Sequence, residues 1–420
     1  MKKKSTIFSI IIFMICLQAT VINAAKFDLV IKGMGDPKAD VKSVQKAVDQ
    51  GGSILLKGTF NFGEKGKIEI IKDTIIHGEK DSEGAPATKI IGGLWSFHSP
   101  LPTQLPPTEP APKITIHNIH FEGALWAPIS LPYCAGADIR NNKINNVQPI
   151  DNKMPYFGKE GIHRQQGIIF YPPYTLPKEY GTYQPGLISG NIIVADNFID
   201  LSNHIPEKTI AQGILVVGAT GANIQILRNR VSNSSRNSIE VIDNYPGPNG
   251  EGMTIIQGNN IVTSEKGISL PSPSTPNGIV AGWFINLSGA SDPALRNKII
   301  VTGNQIETRG DTSLGILVIS DGPTIVSNVI ILNGGEKAKG ILHFNSHATI
   351  TNNRIEGSGM TGVMLTPWKS FKGSQNTLIE NDFSKFNAVI ANILFNGSDN
   401  IAVGECGKVI DNEKTNLVLK

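Results

Sequence analysis

The sequence predicts an all-β solenoid. Two recurring phrases and their spacing carry that expectation. The first reads apolar-x-x-Asn-x-apolar and occurs eight times, from Ile139–Ile144 to Leu378–Phe383. Its fourth position is always Asn: Asn142, Asn197, Asn229, Asn259, Asn304, Asn328, Asn353 and Asn381. The second phrase follows each copy as a small residue and alternating branched apolar residues, starting at Gly167, Gly213, Ser238, Gly267, Gly315, Gly340, Gly362 and, more loosely, Ala388. The last four copies of the Asn phrase recur every 24 to 28 residues, a period that marks stacked repeats.

Short runs rich in Ile and Val between turn residues read as strands. One unit has no opposing layer to bury its apolar side chains, so neighbouring units must stack into a continuous core. Asn at a fixed turn position suits such a coil. It tolerates left-handed backbone geometry, and its amide can bond adjacent turns. The eight Asn residues are therefore expected to form a structural ladder.

Elements can be assigned in chain order. Residues 1–24 combine Lys2, Lys3 and Lys4 with a short apolar stretch and a small-residue end at Ala24, the pattern of an export signal. The apolar core from Ile7 to Leu17 is short for a bilayer span of roughly 20 residues. Residues 25–420 form one domain, with a capping module over about 36–60 and coil repeats over about 67–420. In the module, Val41, Val44, Ala47 and Val48 share a helical face, Gly51 and Gly52 end the helix, and Ile54 to Leu56 begin a strand.

These phrases, with the segment Ala39–Phe60, resemble the right-handed parallel β-helix proteins of the pectate lyase-like superfamily. The resemblance implies a single-stranded right-handed parallel β-helix with a short N-terminal capping helix. It is specific for fold and weak for activity, because this fold carries lyases, hydrolases, epimerases and proteins without known chemistry. Calcium as a cofactor is implied by the resemblance alone. The resemblance also implies that the second phrase forms the sheet whose outer face carries most known active sites of these proteins.

Composition narrows the partners. The formal charge of +3 comes from Lys2, Lys3 and Lys4, since 38 basic residues less those three equal the 35 acidic ones. No global basic field remains to attract nucleic acid, and no mature segment could span a membrane. Beyond the signal, Cys134 and Cys406 lie about eight or nine coils apart, roughly 40 Å at 4.8 Å per strand, so no disulfide is expected between them.

The outward column of the second phrase reads Ile169, Leu215, Glu240, Ser269, Leu317, Leu342, Met364. The next reads Tyr171, Val217, Ile242, Pro271, Ile319, Phe344, Thr366. Only Glu240 is charged, and the motifs of polygalacturonases, common pectate lyases and alginate epimerases are absent. Long turns flank the early coils. Six of the seven tyrosines, Tyr133, Tyr156, Tyr171, Tyr174, Tyr180 and Tyr183, fall there, and Trp95 and Trp126 lie close by.

The candidate site is accordingly an early-coil groove. His163 and Glu240 are its candidate proton-transfer groups, and Arg164, Tyr171, Tyr174, His204, Arg236 and Asp243 its candidate binding groups; no metal ligands stand out. Arginine suits a uronate carboxylate and rigid aromatics suit sugar rings. The leading reading is an exported protein that binds polysaccharide and, if an enzyme, acts as a lyase or glycoside hydrolase. The alternative is a non-catalytic structural or surface solenoid, which can include a homo-oligomer. The apolar late-coil stripe of Leu317, Ile319, Leu342, Phe344 and Met364 is expected to be covered, by a chain tail or a second copy.

Overall fold

The computed structural model describes residues 27–104, 107–151, 163–171, 187–247, 249–267, 275–283, 296–369 and 371–419. The chain coils into a parallel β-helix. Among these residues the strands stack into a 14-stranded sheet and a 22-stranded sheet, parallel except where Ile150–Asp151 pairs antiparallel with His163–Phe170. In each coil a strand of the first sheet, such as Asn223–Leu227, turns into a short strand, such as Arg230–Ser234. The chain then enters a third strand, such as Asn237–Ile242. The last two belong to the larger sheet, which continues round a corner; Arg354–Leu365 runs through both positions as one strand. The core is one continuous apolar column from Val44 to Val418, built from alternate residues of every strand.

The first coil is closed by the expected helix, Pro37–Val48. Asp36 caps it by accepting from Ala39 N, and Val44, Ala47 and Val48 are buried against the core. Asp40 is fully buried and accepts from the backbone N–H groups of Met34 (2.8 Å), Gly35 (3.0 Å) and Asn61 (2.8 Å). One carboxylate thereby latches the helix to the turn before it and to the strand Thr59–Gly63.

The eight Asn residues stack as expected. Asn304 donates from Nδ2 to Asn328 Oδ1 (2.9 Å) and to Ile256 O one coil back (2.9 Å), while its Oδ1 accepts from Asn259 N and Nδ2 (both 2.9 Å). The same pattern runs from Asn142 to Asn381. One part of the expectation is corrected. The left-handed residue is the one before each ladder Asn: Asn141, Asp196, Arg228, Gly258, Gly303, Ser327, Asn352 and Glu380. The preceding residue turns the corner, which leaves the ladder Asn free to aim its amide along the axis. A second, shorter ladder of Asn376, Asn400 and Asn416 serves the late coils.

The small residue that opens the second phrase has a steric cause. A Cβ on Gly213 would lie 2.4 Å from Val231 Cγ1, and one on Gly315 would lie 2.5 Å from Ile330 Cγ2. Each glycine sits under the branched residue two positions beyond a ladder Asn. That rule exposes a misassigned repeat. The coil after Ser238 continues at Asn277–Gly282, whose Gly278 meets Ile306 in the same way, and not at Gly267. In the outward columns, Val280 and Gly282 therefore replace Ser269 and Pro271, two residues that lie outside those described.

Neither Cys134 nor Cys406 takes part in a disulfide, and both are buried. Burial pushes the Cys134 thiol up to about 12, where it supplies almost no thiolate at neutral pH. A thiol reagent is expected to label neither cysteine in the native protein and both in denaturant. Labelling of Cys134 before unfolding would contradict the buried placement. Among the described residues, no helix is long and apolar enough to cross a membrane.

Candidate functional site

The outward column of the site face can be read from strand register. It runs from Glu69 through His98, Ser130, Ile169 and Leu215 to Glu240, then through apolar residues to Ile410. The sequence reading began this column at Ile169 and found Glu240 alone charged. The earlier coils add Glu69 and His98.

Glu240 ends a chain of buried amides. Trp126 Nε1 donates to Gln166 Oε1 (2.7 Å), and Gln166 Nε2 donates to Gln212 Oε1 (2.9 Å). Gln212 Nε2 in turn donates to Glu240 Oε2 (2.5 Å). From the other side, Asn277 Nδ2 donates to Asn237 Oδ1 (2.8 Å) and Asn237 Nδ2 to Glu240 Oε2 (2.7 Å). Donors from both directions converge on one carboxylate oxygen, so every amide in the run has a fixed orientation. Gln166, Gln212, Asn237, Glu240 and Asn277 are all buried. Each of these amides stands directly before the small residue of its strand, so the signal was present as Gln-Gly, Asn-Ser or Asn-Gly.

His98 lies at the early end of the column. Its Nδ1 is 3.1 Å from Ser130 O and 3.3 Å from Ser130 Oγ. A carbonyl only accepts, so Nδ1 carries the proton and Nε2 is the basic nitrogen. Glu69, His98 and Ser130 stand in register like a carboxylate, base and hydroxyl. With Nδ1 as donor, however, the contact to Ser130 Oγ cannot take a proton from it. Burial, with Lys67 nearby, lowers the His98 pKa to about 4, so the ring is neutral at pH 7.

Beside His98 stand two indoles. Trp95 stacks on the imidazole with ring centroids 4.9 Å apart and planes at 20°, and Trp126 lies 5.0 Å from Trp95. Both are half-buried and both have positive φ, 52° and 69°. Bulky residues in that region cost on the order of 1–3 kcal/mol each and persist only where the surroundings fix them. The bridge between Leu94 and Leu125 aligns the two turns. Their shared Leu-Trp pair was the sequence signal for this stack.

The predicted site residues disperse along the coil. His163 begins the strand His163–Phe170 and pairs with Thr209, six positions before Leu215 (209 against 215), the partner of Glu240. That is roughly 20 Å of extended chain, so His163 and Glu240 are not brought together. Arg164 is buried in register with Ile210, and Arg236 is half-buried just before Asn237. His204 sits in the turn after Asp200, where Nδ1 approaches Leu201 O at 3.0 Å. Asp243 is fully buried at the far end of the Glu240 strand, with φ 54°. Tyr171 packs against the outer apolar cluster. Tyr174, with Tyr156, Tyr180 and Tyr183, lies outside the described residues.

Glu240 is flanked in its column by Leu215 and Val280. No second carboxylate faces it there, as paired-carboxylate hydrolysis would need. Among the described residues no group of three His, Cys, Asp or Glu side chains could hold a metal ion, so the calcium implied by resemblance has no recognisable seat there. Three of the five late-coil stripe residues are covered within the single chain, and Phe344 and Met364 are half-buried. Leu317, Ile319 and Leu342 are buried in a cluster with Trp283 and Phe371, against which Phe344, Met364 and Trp368 pack.

Comparison with family models agrees with this architecture. The family model for the right handed beta helix region matches residues 212–406. No curated protein sequence matches the chain. Among solved structures, the chain is similar to the A-module of a mannuronan C-5 epimerase from Azotobacter vinelandii, at 11% identity and a TM-score of 0.41, covering 90% of this chain and 100% of that one. It is similar to PfbA, a surface adhesin of Streptococcus pneumoniae, at 12% identity and 0.43, covering 83% and 88%. It is also similar to a mannuronic acid specific polysaccharide family 6 lyase from human gut microbiota, at 12% and 0.40, covering 93% and 87%. At these identities and scores, none of the three bears on what the chain binds. The protein is a right-handed parallel β-helix.

Proposed function

We propose that this chain is an exported polysaccharide-binding solenoid that holds its ligand across the early coils of the site face. The observation that carries this reading is the Trp95–Trp126 pair, joined through Trp126 Nε1 to the amide run that ends on Glu240. Two half-buried indoles held in strained backbone offer flat apolar faces at low ordering cost. The amide run behind them fixes one rim of the platform. Binding without turnover is favoured, because Glu240 faces Leu215 and Val280 instead of a second carboxylate.

The test is calorimetry of the mature protein against a polysaccharide panel, with reducing ends and unsaturated products followed in parallel. Trp126→Ala is expected to weaken binding by roughly tenfold or more through lost stacking area. Met364→Ala, on the late coils, is expected to leave binding unchanged. Turnover abolished by Glu240→Gln would replace the binding reading with a catalytic one. The apolar cluster that runs along the outer face, from Trp95 and Trp126 to Phe371, favours a second reading, a purely structural solenoid. Failure to bind any glycan would select it.

A further inference from the structure

We infer that the early-coil site selects an uncharged, hydroxyl-rich glycan over a uronate polymer, reading a sugar hydroxyl between His98 Nε2 and Trp95 Nε1. This rests on the polysaccharide-binding reading and names the ligand class that such a site would take.

The first argument is hydrogen-bond capacity. His98 Nδ1 donates to Ser130 O, which leaves Nε2 able only to accept while the ring is neutral. No donor reaches Nε2 among the described residues. The stacked Trp95 presents the opposite need, since its Nε1–H is buried and meets no acceptor. One unpartnered acceptor beside one unpartnered donor matches a hydroxyl, which donates and accepts at once. A carboxylate could take the indole proton but would turn its lone pairs on Nε2.

The second argument is charge. From Glu69 to Ile410 the outward column holds two carboxylates, one histidine and no lysine or arginine. The amides beside it, Gln166, Gln212, Asn237 and Asn277, are neutral and already paired to one another or to Glu240. Lys67, the lysine beside His98, is held by Glu69 at 2.7 Å. Arg164 and Arg236, which the sequence offered as uronate clamps, each hold partners within the chain. A polymer bearing a carboxylate on every ring would meet Glu240 with no cation in its column, and Glu69 with its ammonium partner already engaged. Recognition of carboxylate requires the reverse arrangement, with planar donors or ammonium groups aimed into the groove.

The experiment compares neutral polymers (glucans, mannans, xylans and galactans) with pectate and alginate, by calorimetry at low and high salt. The expected result is at least one neutral polymer bound roughly tenfold tighter than either uronate, with little dependence on salt. Trp95→Ala and His98→Leu are expected to lower that affinity roughly tenfold. Thermal melts establish that each variant is folded, and Trp126→Ala supplies the aromatic test if Trp95→Ala does not fold. Glu69→Gln, at a half-buried position, frees Lys67 and is expected to raise uronate affinity about threefold. Tighter binding of a uronate than of any neutral polymer, or no response of uronate binding to Glu69→Gln, would overturn the selectivity while leaving polysaccharide binding intact. Binding of neither class would overturn the polysaccharide reading itself.

Discussion

Acidification is expected to loosen the solenoid well before its carboxylates titrate. His343 projects into the core in register with Val318 and Leu365 and is fully buried, and burial lowers its pKa to about 4. His98 is lowered to about 4 as well, by burial and then by Lys67. In the unfolded chain both rings take a proton near the ordinary value of 6.5. Between about pH 6.5 and about pH 4 the unfolded state thus binds protons that the folded state refuses. Stability is lost progressively across that window, and these two groups cost nothing further below it. Each contributes on the order of 3 kcal/mol over the full span. Urea unfolding at several pH values should show the slope, to which His77 and His120, also lowered by burial, add; His343→Leu should remove about half of the part that His343 and His98 contribute. The substitution does not orphan Val318 O, which still accepts from Phe344 N at 3.2 Å. A flat midpoint between pH 6.5 and 4 would mean that the imidazoles reach solvent in the native state.

The fold was legible because its signal repeats. Each ladder Asn, each small residue under a branched side chain and each alternating strand appears many times, so tertiary packing has left a period in the sequence. Where a repeat was misread, the cause was local. Gly267-Ile-Ser-Leu copies the phrase in composition, but an insertion carries the chain on to Gly278 before it meets Ile306. Only the steric partner tells the two apart. The left-handed corner residue was likewise hidden, because its identity varies among Asn, Asp, Arg, Gly, Ser and Glu while its φ does not.

The site was less legible, and for a physical reason. Charged residues in loops draw attention in a sequence, yet His163, Arg164, His204 and Arg236 spread along the strand direction and along the turns. Register, not proximity in sequence, decides which groups share a face. Glu240 was found because it breaks an apolar column. The amides that converge on it were passed over, since Gln and Asn before a small residue look like ordinary turn chemistry. His98 was missed because the strand that holds it, Phe97–His98, is two residues long and lacks the Gly-apolar phrase.

Removing the middle of the Asn ladder is expected to cost far more than removing its end. Asn304→Ala deletes the acceptor of Asn259 N–H and the donors to Ile256 O and Thr302 O. The Asn259 amide keeps Ile226 O and Gln257 O, and Asn328 Oδ1 keeps the Asn304 backbone N–H. Thr302 O keeps the Gly258 N–H, so the clear losses are one buried N–H and the bond to Ile256 O. At about 1–3 kcal/mol for each orphaned group, the expected cost is about 3–5 kcal/mol. Asn381 occupies the far end. Its Nδ2 donates to Ile350 O at 2.8 Å, its Oδ1 accepts from Asn353 N and Nδ2, and the residue is slightly more open to water. Water can replace part of what Asn381→Ala removes, so about 1–2 kcal/mol is expected there. Asn304→Asp keeps the shape but loses the amide donor, placing an oxygen against Asn328 Oδ1 inside the coil. It should cost at least as much as alanine, because it adds a buried charge that no cation in the ladder offsets. Urea midpoints for the three variants and the parent decide the matter. Equal losses at positions 304 and 381 would mean that the amides act singly. A gradient with aspartate at its top would mean that the ladder is a connected, directional chain whose interior members each hold the coil above to the coil below.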